Sequence, residues 1–527
     1  QGDDFYAVQS RFDSPASELK QWQVINKTSW SVTDDLTIKN ILSYADLEQR
    51  NNTSVYGINY LNPGSGRYYA FTESADVPGY PTNSQTSFVE ELQFQGYAMD
   101  GDLTWQFGLY YENSRPDGLS GSQALNYLDC ASYDPSNPGA AVCLGMDVAG
   151  ALGWAGITRQ LSKVEFTSKA AYTEATYDIN EQWKVTGGLR YTNDKAEGSA
   201  ESTIWGGFPS QLMITGPGPT FGPSGAAPGN PGAPTCVYST ADANCRDSLE
   251  QESEAVTGLL GVDYFLTQDV MLYAKYSRGY RQGSISLFAG EGFRTFEPEQ
   301  VDAFELGAKS TFGGPVPGTF NVALFYNDLQ DQQIQYGYLA PGLAPTQAIV
   351  NAGKSIIQGG EIEATFRLLD DLALNLSYTY LDTELKDAVD IPSTSSYTIV
   401  NTATPGSDLT FSPKHSVVVG LNYQLPLPVE VGDVSVGATY SYTGEQFSTG
   451  ADASPYALLD SYELVNLSAN WKAIFGSSFD AGLFVTNAFD EEYTTYVSGL
   501  YRSMGFETRM TGVPRMWGAK VRYNFGL

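Results

Sequence analysis

The chain has 527 residues, 42% of them hydrophobic and 13% aromatic, with 35 Tyr and 26 Phe. Its 60 acidic against 29 basic residues leave a net charge of -31, which repels phosphates and excludes nucleic acid as a partner. No uninterrupted apolar run reaches the ~18 residues of a spanning helix, and the apolar content is too high for disorder.

The chain opens on "QGDDF", with neither an initiator Met nor a leader pattern, so a removed leader or a start further upstream is expected. Residues 4–10 are an alternative source of one further short strand, which would bring the total to an even count of about 18, and regular alternation starts near Trp22. Leu103, Trp105, Phe107, Leu109 and Tyr111 then share one face, with Thr104, Gln106, Gly108 and Tyr110 opposite. Trp183, Val185, Gly187, Leu189 and Tyr191 repeat the pattern, as do Phe320, Val322, Leu324 and Tyr326. Leu372, Leu374, Leu376, Tyr378 and Tyr380 follow, then Val417, Val419, Leu421 and Tyr423, then Val434, Val436, Ala438, Tyr440 and Tyr442. The last stretch, "RMWGAKVRYNFGL", sets Trp517, Ala519, Val521, Tyr523 and Phe525 against Gly518, Lys520, Arg522 and Asn524. Period-two alternation of this kind specifies strands between two different environments.

Connections alternate as well. Short ones at 33–37, 99–103, 180–182, 267–269, 369–371 and 475–478 take turns with long stretches rich in Gly, Pro, Ser and Asn. The extreme is the Pro/Gly run 215–235, which cannot pack a core. A soluble propeller would show a blade repeat of ~40–50 residues, and none is present. A soluble sandwich is the remaining alternative, but its two faces rarely stay this unequal over so many strands. The pattern predicts an all-β fold, a transmembrane antiparallel up-and-down β-barrel with short periplasmic turns and long extracellular loops. Its apolar face meets lipid, its aromatics sit at the two interfaces, and its polar face lines a wet interior. Closure requires the final strand to pair with the first. About 17 strands are counted where such barrels carry an even number, so missing N-terminal strands are expected.

Cys130 with Cys143 and Cys236 with Cys245 lie close together in loop-like text. Local disulfides in an oxidising compartment are the natural reading, with free thiols or a metal site as the alternative. There is no CxxC spacing, which weakens the metal alternative, and His415 is the single histidine, so any Ser-His-Asp or Cys-His arrangement hinges on it and none stands out. His415 follows Pro413 at a strand start, an interfacial place. The loops "GGPVPG" and "GEGF" lack the Lys-Ser/Thr of a phosphate loop. Asp490, Glu491 and Glu492 suit a solvated turn, with a divalent cation as the alternative. No enzyme activity and no cofactor are expected.

Several stretches resemble the β-barrel of TonB-dependent outer-membrane receptors. They are "YSRGYRQGSISLF" (276–288), "FEPEQVDAFELGAKSTF" (296–312) with Glu305, Leu306, Gly307 and Lys309, and "GTFNVALFYNDLQDQQIQ" (318–335). In the same order come residues 350–385, "SPKHSVVVGLNY" (412–423), "VTNAFDEEY" (485–493) and "GVPRMWGAKVRYNF" (512–525). The resemblance implies a barrel of the 22-stranded type, so about 17 strands here leave roughly five absent. It also implies an N-terminal plug domain of roughly 100–150 residues with an energy-coupling motif, neither of which is visible in this text. The implied function is outer-membrane uptake of a scarce bulky nutrient, a ferric siderophore or similar chelate, energised through the TonB complex. A passive porin-like or structural barrel is the alternative. Implied partners are outer-membrane lipid, lipopolysaccharide and the barrel assembly machinery. The last of these reads a C-terminal aromatic signal, here Trp517, Tyr523 and Phe525, although Gly526 and Leu527 follow.

Ligand contacts in such a barrel come from extracellular ends and loops. These carry Arg278, Tyr280, Arg281, Arg294, Tyr336, Tyr338, Tyr501, Arg502 and Phe506. Aromatics mixed with arginine suit stacked, partly anionic ligands such as ferric catecholates, or sugars and aromatics. Loop packing and lipopolysaccharide contact are the alternative roles.

Overall fold

The computed structural model describes residues 4–6, 15–56, 60–210, 212–215, 220–223, 225–237, 241–339, 346–389, 391, 393–394, 397–401, 404–450, 454–501 and 506–525. The alternating segments hydrogen-bond into one 22-stranded sheet, and every pairing in it is antiparallel. Five members belong to the long connections: Ala70–Asp76, Ser120–Ser132, Val142–Gly145, Thr235–Cys236 and Thr398–Asn401. The other 17 run up and down in chain order. They are β1 (Ala16–Thr33), β2 (Leu36–Ser54), β3 (Asn83–Ala98), β4 (Leu103–Arg115), β5 (Gly156–Asp178) and β6 (Trp183–Trp205). Then come β7 (Arg246–Thr267), β8 (Val270–Arg281), β9 (Glu299–Phe312), β10 (Gly318–Leu339), β11 (Thr346–Leu369) and β12 (Leu372–Ala388). The last are β13 (His415–Gln424), β14 (Asp433–Thr443), β15 (Tyr462–Lys472), β16 (Phe479–Thr486) and β17 (Met516–Tyr523).

Register carries the apolar set from strand to strand. Leu306 faces Leu324, Val322 faces Ile362, Ile362 faces Tyr378, and Tyr378 faces Val417. The row continues through Tyr442, and beside it Tyr440 faces Val465, Leu467 faces Val485 and Val485 faces Trp517. Leu306, Leu324 and Leu483 are 59%, 58% and 63% exposed, where a soluble sheet would have covered them. A belt of this kind is stable only against hydrocarbon. The opposite face is small and polar: Gly420 faces Thr439, Thr439 faces Asn466, and Gly437 lies between Asn422 and Ser468.

The short turns are closed by their own side chains. Thr33 Oγ1 accepts the Asp35 N–H at 3.2 Å, Thr267 Oγ1 accepts that of Asp269 at 3.2 Å, and Asn180 Oδ1 accepts those of Gln182 and Trp183 at 2.8 and 3.0 Å. Such local bonds satisfy the backbone without a longer connection. At the other end the strands overshoot. β5, β6 and β11 have 23, 23 and 24 residues, about twice the ~9–11 that cross a bilayer. Protease added to intact cells is therefore expected to cut within 215–235 and to spare 369–371; cutting only after the outer membrane is ruptured would invert this orientation.

Two expectations are corrected. The last strand does not pair with the first: among the described residues β1 bonds only to β2 and β17 only to β16. All 18 residues of β1 are exposed. Both edges thus keep a row of free N–H and C=O groups, which hydrocarbon does not tolerate, so these 17 strands form a wall and not a closed cylinder. Residues 4–6 form a turn instead of a strand, with the Tyr6 hydroxyl donating to the Glu491 carbonyl at 3.2 Å; residues 7–10 lie outside the described residues.

The stretch "VTNAFDEEY" also gains a physical account. Asn487 adopts φ 48° and is buried; its Nδ2 donates to the carbonyls of Glu491 and Val513 at 2.9 and 3.1 Å, and its Oδ1 accepts the Glu491 N–H at 2.8 Å. Asparagine tolerates this left-handed geometry and supplies both donor and acceptor. Asp490 accepts the Arg515 N–H at 2.8 Å and ion-pairs with its guanidinium at 3.5 Å. Asp490 therefore fastens a turn to the start of β17. Among the described residues no group of three metal-ligating side chains occurs.

Candidate binding site at the extracellular rim

The long connections between β2 and β3, β4 and β5, and β6 and β7 fold on one another. Their core holds Phe71, Leu125, Tyr127, Leu128, Ile157 and Phe208, with Cys143 fully buried among them. Cys130 and Cys143 are bridged, as are Cys236 and Cys245. The expected pairing is the one observed, and no cysteine is free. Beside the first bridge, Asp129 is fully buried and accepts from Asn62 Nδ2, Ser65 Oγ and Arg67 Nε, each at 2.6 Å. One carboxylate thereby ties residues 62–67 to the neighbouring connection. Burial pushes the Tyr127 phenol up to about 12.

The predicted rim residues do not converge on one site. Arg278 grips Asp302 with two bonds, at 2.7 and 2.6 Å, and the Tyr276 hydroxyl donates to the same carboxylate at 2.7 Å. Arg281 pairs with Glu299 at 2.9 Å and Arg294 with Asp247 at 2.6 Å. The Tyr280 hydroxyl donates to Asp194. Tyr336 and Tyr338 are each 1% exposed. The Tyr336 hydroxyl donates to the Val389 carbonyl at 3.2 Å, and Tyr338 stacks on Phe293 at 4.9 Å in a small core with Ala289 and Ala348. Phe506 packs edge-on against Phe71 at 5.1 Å and Tyr56 at 5.8 Å, joining the last external loop to the first. Arg502 lies outside the described residues.

Tyr501 is 42% exposed. It meets Tyr456 edge-to-face at 5.6 Å, and the Arg509 guanidinium lies 5.8 Å from the Tyr456 ring. Tyr456 is 47% exposed, and no carboxylate ion-pairs with Arg509 among the described residues. Tyr456 and Arg509 escaped the sequence reading. Nothing local marks them, because the loop after β14 meets the loop after β16 only through the fold.

At the chain's end Trp517, Tyr523 and Phe525 are 81%, 47% and 88% exposed, and the Tyr523 ring lies 4.9 Å from Phe479 and 4.6 Å from Phe525.

An all-antiparallel wall with a lipid-facing belt, a polar inner face and folded loops at one end defines an outer-membrane β-barrel protein. The chain belongs to the TonB-dependent receptor family: residues 2–488 match "TonB dependent receptor-like, beta-barrel". Proteins of this family are receptors of the bacterial outer membrane, not enzymes. The chain is 23% identical over 335 residues to the pesticin receptor of Yersinia pestis, covering 62% of this chain and 40% of that one. In fold it is similar to the ferric yersiniabactin uptake receptor FyuA of Yersinia pestis (TM-score 0.67, 17% identity, 99% of this chain and 63% of the other). It is similar also to the siderophore receptor PiuA of Acinetobacter baumannii (TM-score 0.64, 18% identity, 97% and 65%). The chain thus spans less than two thirds of the length of each.

Proposed function

We propose that this chain is the larger, C-terminal part of the barrel of an energy-coupled outer-membrane transporter for a ferric siderophore or similar bulky chelate. Roughly five further strands would join the free edges of β1 and β17 into a cylinder of the 22-stranded type. A plug carrying the TonB-contacting segment would fill the lumen. The observation that carries the reading is the inner face. Its glycines, serines, threonines and asparagines are small and polar, and in a cylinder of the 22-stranded type such a face would line an interior too wide for side chains to fill, so a separate element must gate it. The similarity to the ferric yersiniabactin uptake receptor FyuA and the siderophore receptor PiuA supports the ligand class.

At the rim the arginines at 278, 281 and 294 are neutralised by carboxylates, so they offer little to an anion. Tyr456, Tyr501 and Arg509 supply what a flat, partly anionic chelate needs: two exposed rings and a cation without a carboxylate partner among the described residues.

The test is accumulation of radio-iron from ferric chelates by receptor-deficient cells producing the full-length protein. Uptake is expected for at least one chelate and is expected to stop with an uncoupler. Arg509→Ala is expected to weaken uptake affinity roughly tenfold, the equivalent of about 1.4 kcal/mol. Uptake that continues undiminished in uncoupled cells would overturn the proposal in favour of passive passage.

A further inference from the structure

The loop after β14 and the loop after β16 are joined by a buried serine. Ser448 Oγ donates to the Val497 carbonyl at 3.1 Å and accepts the Val497 N–H at 3.2 Å, and both residues are buried. Past Val497 the two loops run so close that a Cβ on Gly499, whose φ is 69°, would fall 2.7 Å from Thr449 Oγ1. Pairing of Thr494–Val497 with Arg509–Thr511 sets Arg509 opposite Val497.

From this joint one carboxylate carries the order on to Tyr501. Glu507 Oε1 accepts the Tyr501 N–H at 3.0 Å, and Oε2 accepts the Leu500 N–H at 3.2 Å and the Ser498 hydroxyl at 2.9 Å. Ser498 Oγ in turn accepts the Thr508 N–H at 3.1 Å. The backbone behind Glu507 is fixed as well, because Phe506 packs edge-on against Phe71 and Tyr56 of the first external loop. Glu507 stands two positions from Arg509, yet no ion pair joins them among the described residues. A carboxylate has about four acceptor sites, and three donors of the 498–501 segment already occupy this one.

We propose that Glu507 is a positioning residue for the site made by Tyr456, Tyr501 and Arg509. It holds Tyr501 where its ring meets Tyr456, and with its oxygens engaged there it leaves Arg509 to an anionic ligand. This role rests on the reading of those three side chains as contacts for a chelate. Charge alone would act in the opposite direction. An acid near Arg509 repels an anion, so removing it would tighten binding, whereas losing a positioning contact loosens it. Glu507→Gln divides the two effects, since it removes the charge and keeps one acceptor oxygen for the turn.

The test follows concentration-dependent uptake of radio-iron by receptor-deficient cells making the full-length protein, with iron supplied as a tris-catecholate, a tris-hydroxamate and a citrate complex. For a complex that the wild type takes up, Glu507→Ala is expected to raise the half-saturating concentration roughly tenfold, with the maximal rate within about twofold of wild type. Glu507→Gln is expected to fall between the two. Tyr501→Ala is expected to match Glu507→Ala, and the double variant to be no weaker than either, because both remove the same contact. In the purified full-length protein, the Leu500 and Tyr501 amides of Glu507→Ala are expected to exchange at least about tenfold faster. The Val497 amide, held by Ser448, is expected to be unchanged. An unchanged or lower half-saturating concentration in Glu507→Ala, or a double variant whose loss is the product of the single losses, would overturn the positioning role and leave the transport reading standing. Wild-type cells that take up none of the three complexes would overturn the transport reading and this role with it.

Discussion

Leu376→Arg is expected to destabilise the folded barrel by ~2–4 kcal/mol, the usual cost of a guanidinium on the lipid face near the bilayer midplane. Ser377→Arg, one residue along, is expected to cost less than ~1 kcal/mol. The contrast follows from register. Leu376 lies between Ala364 and Val419 in the apolar belt, whereas Ser377 lies on the inner face beside Glu363, where an arginine meets water and a carboxylate. Denaturant unfolding of the full-length protein in lipid vesicles checks it. Equal losses at the two positions would mean that inside and outside have been exchanged.

Asp129→Ala is the second large effect. The carboxylate is fully buried and is the common acceptor for Asn62, Ser65 and Arg67. Breaking a buried pair costs up to ~3–5 kcal/mol, and since Arg67 is 40% exposed and regains water, roughly 2–3 kcal/mol is expected. The loss should stay local, because the Cys130–Cys143 bridge and the core around Leu128 survive. Hydrogen exchange of residues 62–69 should accelerate on the order of 30- to 100-fold, with the amides of β13 and β14 unchanged. Unchanged protection at 62–69 would show that Asp129 does not hold this loop.

The wall was legible in the sequence because its two faces meet different solvents. Each strand from Leu103–Tyr111 to Trp517–Phe525 therefore writes its own alternation, with no need of a partner's identity. The disulfides were legible for a similar local reason, their cysteines lying 13 and 9 positions apart in the chain. The rim was not. Arg278 is silenced by Asp302, Arg294 by Asp247, and Tyr338 is withdrawn beneath Phe293; each partner is chosen by register or loop packing across tens of residues. Asp129 looks like any loop acid until Asn62 and Arg67 surround it. Tyr456 becomes interesting only when Arg509 arrives from another loop. Alternation does not mark where a sheet closes, which is why β17 was expected against β1 and is found, among the described residues, paired only with β16.

The central claim is that these 17 strands are the wall of a larger, gated barrel and not a pore in themselves. Ion conductance across planar bilayers, with the 527-residue chain compared with the full-length gene product, tests it most directly. The 527-residue chain alone is expected to form no stable channel, since two unpaired edges cannot rest in hydrocarbon, and the full-length protein is expected to insert but stay closed. A long-lived, uniform, open conductance from the 527-residue chain alone would contradict it.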